Sequence, residues 1–209
     1  MDFASSEREA AAVPALTPPP RRAGQSGPPI TSTKIVVAGG FGVGKTTLVR
    51  SVSEIEPLTT ESVMTVLSED LDDVSGLPGK TTTTVAMDFG RVSLDDDLVL
   101  YLFGTPGQNR FWFMWDDIVR GAVGALVLVD TRRLEDSFPA VDYFERSGIP
   151  FVVVLNRFPE APVYPEEDLR DALSLSAGVP MVECDARFRT GVVAALMALV
   201  EHALTLTPG

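Results

Sequence analysis

Short apolar runs alternate with segments of helical spacing along most of the chain. Lys34-Ile35-Val36-Val37-Ala38 is β-branched and apolar and ends in glycines, as a buried strand feeding a tight turn would. A helix is expected from residue 46 to about 53. Comparable runs recur at 98–103, 122–129 and 151–155, each followed by helical spacing. Residues 85–94 read as a further strand, and Asp95-Asp96-Asp97 as a polar hairpin turn into the next. Residues 135–147 place Phe138, Val141, Tyr143 and Phe144 on a helix face. Residues 166–177 carry Leu169, Ala172, Leu173 and Leu175 behind Glu166-Glu167-Asp168, an acidic start that suits the helix dipole. A long apolar helix, 191 to about 204, closes the chain. Strands alternating with helices predict an α/β fold, a mostly parallel sheet covered by helices on both faces.

Residues 1–32 do not fit that rhythm. They hold Pro14, Pro18, Pro19, Pro20, Pro28 and Pro29 among Ala, Ser and Gly, a composition that predicts a disordered arm before a folded domain at 33–209. The chain carries 17 Lys+Arg against 29 Asp+Glu, a net charge of −12. The arm holds three acids and three bases, so the whole excess sits on the domain, as 26 acids against 14 bases. Such a surface repels polyanions and argues against nucleic acid as the partner. One cysteine (Cys184) and one histidine (His202) exclude a disulfide framework, a Cys/His zinc site and a His-dependent nucleophile. The acidic N-terminus does not resemble a secretory signal, and the apolar stretches at 121–129 and 149–155 are too short to span a bilayer. A cytoplasmic protein without direct membrane insertion is expected, with peripheral recruitment only through partners.

The sharpest chemistry lies where the first strand meets the first helix. Gly39-Gly40-Phe41-Gly42-Val43-Gly44-Lys45-Thr46 satisfies the phosphate-loop pattern G-x-x-x-x-G-K-[ST]. Glycines let successive N–H groups turn inward onto phosphate oxygens, at the positive end of the following helix. Lys45 would neutralise the β- and γ-phosphates, and the Thr46 hydroxyl would coordinate Mg²⁺; Thr47 completes the set.

Further along, Leu102-Phe103-Gly104-Thr105-Pro106-Gly107-Gln108 resembles the D-T-A-G-Q segment of Ras-like GTPases. Ala125 to Thr131 with Ser137-Phe138 is similar to the fourth strand and third helix of the Rab and Arf branches. Asn156-Arg157 falls where N-K-x-D belongs, and Glu183-Cys184-Asp185-Ala186-Arg187 where E-T-S-A-K belongs. The 39–50 segment and Thr81-Thr82-Thr83-Thr84-Val85-Ala86-Met87-Asp88-Phe89-Gly90 resemble the small GTPases of actinobacterial conservons, relatives of the bacterial gliding-motility GTPase. The resemblance implies a Ras-like G domain with a six-stranded sheet, binding GTP or GDP with Mg²⁺. By it, Thr84 would be the switch threonine on the metal, with Thr82 and Thr83 as competitors. Gly107 would meet the γ-phosphate and Gln108 would orient the attacking water. Asn156 and Arg157, with Ala186 and Arg187, would hold the base, the Ala186 N–H reading the guanine oxygen. It also implies a roadblock-type regulator and a histidine-kinase-like sensor as partners.

Two positions depart from the pattern. The position of the carboxylate that opens D-T-A-G-Q is taken by Gly104, so Mg²⁺ is expected to bind more weakly or through another carboxylate, with Asp130 and Asp88 as candidates. The Asp of N-K-x-D is Pro159, which forfeits on the order of 1–3 kcal/mol of base discrimination; Glu160 is a neighbouring substitute. Arg110 is either an internal arginine finger or a surface residue. Without a finger, hydrolysis is expected at roughly 10⁻⁴ to 10⁻³ per second. Between Thr46 and Thr84 lie 37 residues, and 51–79 carries seven acids with no Lys or Arg: an acidic loop, or a switch-linked surface for a basic partner. The leading expectation is a nucleotide-dependent molecular switch that hydrolyses GTP. The alternative is a degenerate nucleotide-binding scaffold with little hydrolysis or relaxed ATP/GTP choice.

Overall fold

Seven strands form one sheet in the order β2-β3-β4-β1-β5-β6-β7. The computed structural model describes residues 31–56, 58–66, 81–95 and 97–206. The strands are β1 (Thr31–Gly39), β2 (Leu58–Val66), β3 (Thr81–Ser93), β4 (Leu98–Gly104), β5 (Ala122–Val129), β6 (Phe151–Asn156) and β7 (Met181–Cys184). The helices are α1 (Lys45–Val52), α2 (Trp115–Val119), α3 (Phe138–Ser147), α4 (Glu166–Ala172) and α5 (Arg189–Leu206). β1 runs parallel to β4 and β5, and β5, β6 and β7 continue parallel outward. β3 is antiparallel to both β2 and β4.

The alternation of side chains along the strands builds two cores. Ile35, Val37, Leu126, Leu128, Val152 and Val154 face one side, where they bury α1 and α5. Val36, Ala38, Ala125, Val127, Val129, Val153 and Leu155 face the other, against α2, α3 and α4. A period of two thus serves both layers at once, and the central strands read as unbroken apolar runs. Cys184 lies in the α1/α5 layer, where burial pushes its thiol up to about 11.

Several expectations need correction. Five strands stand where the pattern put them, β7 supplies the sixth that the resemblance implied, and β2 adds a seventh at the sheet edge, inside the segment read as an acidic loop. Its sequence, LTTESVMTV, lacks the clean alternation that marks a strand, and its pairing with β3 is what defines it. β1 starts at Thr31, so the arm boundary at residue 32 moves back; the rest of the arm lies outside the described residues. α4 stops at Ala172 instead of 177. Ser174 takes a positive φ of 51°, and Ser176 turns to Glu145 of α3, its N and Oγ each donating to a carboxylate oxygen at 2.8 Å. The helical spacing expected after 98–103 takes the form of a 3-10 segment at Asn109–Met114 followed by α2, pinned by Trp115, which packs against Trp112, Tyr143 and Phe144.

α5 also changes the sequence picture. Its 18 residues, of mean hydropathy 1.3, are long and apolar enough to cross a membrane by length and composition. In this fold its Val192, Ala195, Leu196 and Leu199 are core residues packed on the sheet and α1. That role separates its two faces: Leu196 is 0% exposed and Met197 45%. Leu196→Ala should lower unfolding free energy by about 2–5 kcal/mol in urea titrations, while Met197→Ala should change it by less than about 0.5 kcal/mol.

Candidate functional site

The parallel strands release their loops at one sheet edge, and the phosphate-loop motif occupies the centre of it. β1 ends at Gly39, and α1 begins at Lys45 after Gly44, whose φ of 105° is open to glycine but strained for other residues. A Cβ at Gly44 would also stand 2.4 Å from Asn156 Nδ2. Lys45 is buried beneath the loop, its Nζ donating to the carbonyls of Gly39 and Gly40 at 2.8 and 2.7 Å. Burial pushes the Lys45 ammonium down to about 8, and the nearby Asp88 carboxylate works against that fall.

Gly107, at the end of the β4 loop, lies directly on this assembly. A Cβ there would be 2.7 Å from Lys45 Nζ, 2.9 Å from Phe41 Cα and 3.0 Å from the Gly40 oxygen. Only a residue without a side chain lets the backbone come so close to the lysine. Gln108 is exposed beside it, on the wall of a cleft of about 610 Å³ shared with Gly40, Phe41, Glu135, Asp136 and Pro139. Phe41 is exposed, and its carbonyl accepts from Arg133 Nη2 at 3.0 Å, which ties the phosphate loop to the segment after β5.

Position 104 has a carboxylate beside it. A Cβ on Gly104 would lie 3.2 Å from Asp88 Cβ and 3.4 Å from Asp88 Oδ2, so Asp88 fills the space that a side chain at 104 would take. Thr46 Oγ1 donates to Asp88 Oδ2 at 2.6 Å. The rival Asp130 is spent elsewhere: Arg132 grips it through Nε, Nη2 and its backbone N–H, with Arg133 nearby. Burial opposes the Asp130 charge, but those contacts hold its carboxyl below the usual range. The hairpin itself carried a signal for Asp88. The register that pairs Phe89 with Phe103 places Asp88 opposite Gly104.

Thr84 is not brought to this centre. Its backbone is in β3, paired with Val63, four residues and so about 13 Å along the strand from Asp88. The side chains of Thr82, Thr83, Thr84 and Arg110 lie outside the described residues.

A second cavity, of about 190 Å³, opens beyond α1 and is lined by Gly44, Thr47, Arg157, Phe158 and Pro159 with the Asp185–Arg187 turn. Asn156, buried at the end of β6, clamps it from below: Nδ2 donates to the Val43 carbonyl at 2.8 Å, and Oδ1 accepts from the Ala186 N–H at 3.0 Å. The Ala186 N–H, expected to read the guanine oxygen, is bonded to Asn156 in this structure. Arg157 pairs with Glu183, and Arg187 with Asp185. Phe158 is backed by the Arg132 guanidinium, 3.8 Å from the ring centroid. Glu160 does not line the cavity; it sits exposed on a turn with φ of 61°.

Residues 37–206 match the family model described as conserved hypothetical ATP binding protein. The chain belongs to this family. It is also 29% identical over 126 residues to an uncharacterized protein of Methanocaldococcus jannaschii, covering 59% of this chain and 69% of that protein. Among solved structures, it is similar to the cytosolic domain of the Thermotoga maritima FeoB iron transporter. The GDP form superposes with a TM-score of 0.60 at 17% identity over 84% of this chain, and the apo form with 0.58 at 17% over 83%. Both matches span 64% of the FeoB chain, less than two thirds of its length. The family match and these likenesses agree on a phosphate-loop nucleotide-binding fold.

The buried lysine yields a pH signature for this family member. Lys45 keeps its proton up to about 8 in the fold but up to 10.5 when unfolded, so the unfolded state binds more protons between those values. Its contribution to stability therefore improves as pH rises from about 8 towards 10.5, and its full cost is present below 8. Wild type should gain stability relative to Lys45→Met between pH 7 and pH 10 in urea titrations without nucleotide. The raised Cys184 and Tyr143 groups act in the opposite sense at high pH but are common to both proteins.

Proposed function

We propose that the protein is a Ras-like molecular switch that binds guanine nucleotide with Mg²⁺ and hydrolyses GTP to GDP. The observation that supports it best is the close approach of the Gly107 backbone to Lys45 beside the phosphate loop, as expected of a switch glycine and a loop lysine that serve one phosphate. Water would attack the γ-phosphorus as the bond to the β-phosphate oxygen breaks, releasing GDP and inorganic phosphate. Gln108, free on the cleft wall, would orient that water, and Lys45 would carry the charge developing on the phosphate oxygens. A polyanion beside Lys45 favours its protonated form and offsets the effect of burial.

For Mg²⁺ the donor set fits: a hydroxyl from Thr46 and a carboxylate from Asp88 share one point beside the lysine. The ion would neutralise β- and γ-phosphate charge. Asp88 takes the part that Gly104 lacks. Thr84 would join only if β3 parted from β2 around Val63, and such a rearrangement of the edge hairpin is the switching motion we assign to the nucleotide. A roadblock-type regulator and a histidine-kinase-like sensor are the partners we assign by resemblance, with the protein acting in the cytoplasm and reaching membranes through them.

Pro159 in the second cavity favours one competing reading, a nucleotide-holding scaffold with relaxed ATP/GTP choice. Phosphate release from GTP and from ATP separates the two. We expect slow release from GTP, near 10⁻³ per second or below, abolished by Lys45→Ala and reduced at least tenfold by Gln108→Ala. Equal release from both nucleotides, or none with tight binding retained, would favour the scaffold. Asp88→Asn should raise the Mg²⁺ concentration needed for half-maximal GTP binding by at least tenfold. Its GDP affinity in excess chelator should stay within about twofold of wild type.

A further inference from the structure

We infer that Asp185 is the base-reading carboxylate of this protein, taking the part that Pro159 cannot play and selecting guanine over adenine. The inference rests on the nucleotide-binding reading and deepens it. Among the described residues lining the second cavity, Asp185 carries the one carboxylate. Pro159 offers neither a side-chain acceptor nor an N–H. Glu160 stands outside, and the Ala186 N–H is spent on Asn156. Of the polar groups that remain, Arg157 is drawn to Glu183.

The chemistry of a carboxylate then decides the base. An ionised carboxylate only accepts hydrogen bonds. The Watson–Crick edge of guanine presents N1–H and an amino N–H side by side, matching its two oxygens. Adenine presents an acceptor at N1, which would face another acceptor across the same gap. Hydrogen bonds from Arg187 hold the Asp185 carboxyl below the usual range, so it is charged throughout the neutral region.

Asp185 is held for this task by Arg187, with which it makes three bonds. The Arg187 backbone N–H and Nε reach Oδ1 at 3.0 and 2.9 Å, and Nη2 reaches Oδ2 at 2.6 Å. A carboxylate has about four acceptor positions, so a base bringing two donors must displace part of the guanidinium. Arg187 is 59% exposed and can swing clear while its backbone N–H stays bonded to Asp185 Oδ1. In that position the planar guanidinium can lie across the face of the base.

The test compares GDP, ADP and xanthosine diphosphate by calorimetry on wild type, Asp185→Asn and Arg187→Ala. Wild type should bind GDP at least tenfold more tightly than ADP. Asp185→Asn should lose roughly 10- to 100-fold in GDP affinity, the range of one bidentate base contact, and leave ADP unchanged. It should also gain at least tenfold for xanthosine diphosphate, whose second oxo group accepts from the new amide. That gain cannot come from a misfolded protein. Arg187→Ala should weaken GDP and ADP by a similar factor, so that of the two variants Asp185→Asn alone changes their ratio. An Asp185→Asn protein with the wild-type GDP to ADP ratio and no gain for xanthosine diphosphate would overturn the role of Asp185 while leaving guanine selectivity in place. A wild type that binds GDP and ADP equally would overturn the guanine reading and this inference together.

Discussion

The site depends on the parallel alignment of β1 with β4 and β5 at the middle of the sheet. Parallel strands must end on the same edge, so the loops after β1, β4, β5, β6 and β7 converge there without any long-range design in their own sequences. Burial on both faces holds that alignment. Ile35, Val36, Val37 and Ala38 are all fully buried, two towards each helical layer, and a slip of one residue would exchange the layers. Asn156 then fixes the result at loop level, joining the phosphate loop to the turn at Ala186.

Charge is organised around the same edge. A chain with net charge −12 must hold a polyanion, and it does so by concentrating positive potential where backbone and lysine act together. The cost is visible in Lys45, whose ammonium is pushed down to about 8 by burial. Asp88 sits close enough to oppose that shift and bonds to Thr46 as well. Arg132 and Arg133 are two further cations near this edge. They gather around Asp130 and brace the surrounding loops, through Phe158 on one side and the Phe41 carbonyl on the other.

Both departures from the Ras-like pattern have a carboxylate from another part of the chain nearby. A chemical group lost from one strand or loop can be supplied by a neighbour that the fold places in the same volume. Asp88 reaches the space above Gly104 from the antiparallel partner strand, and Asp185 lines the cavity that contains Pro159 from the turn after β7. Loss of a motif residue therefore says less about loss of chemistry than about where to look for it.

The phosphate loop, the alternation of strands with helices and the apolar runs of the central strands follow from the sequence alone, because they are local: a glycine pattern, a period of two, a run of apolar residues. Lys45 and Thr46 could be named from the glycine pattern, Gly107 and Asn156 from the resemblance to Ras-like GTPases, and the four lie at one end of the parallel strands. The seventh strand, the choice of Asp88 over Asp130, the distance of Thr84 and the engagement of the Ala186 N–H were decided only by tertiary structure. Each depends on which partner arrives from elsewhere in the chain. β2 is a strand because β3 is beside it, and Asp130 is occupied because Arg132 is bonded to it. Sequence pattern states what a residue can do; packing decides which neighbour uses it.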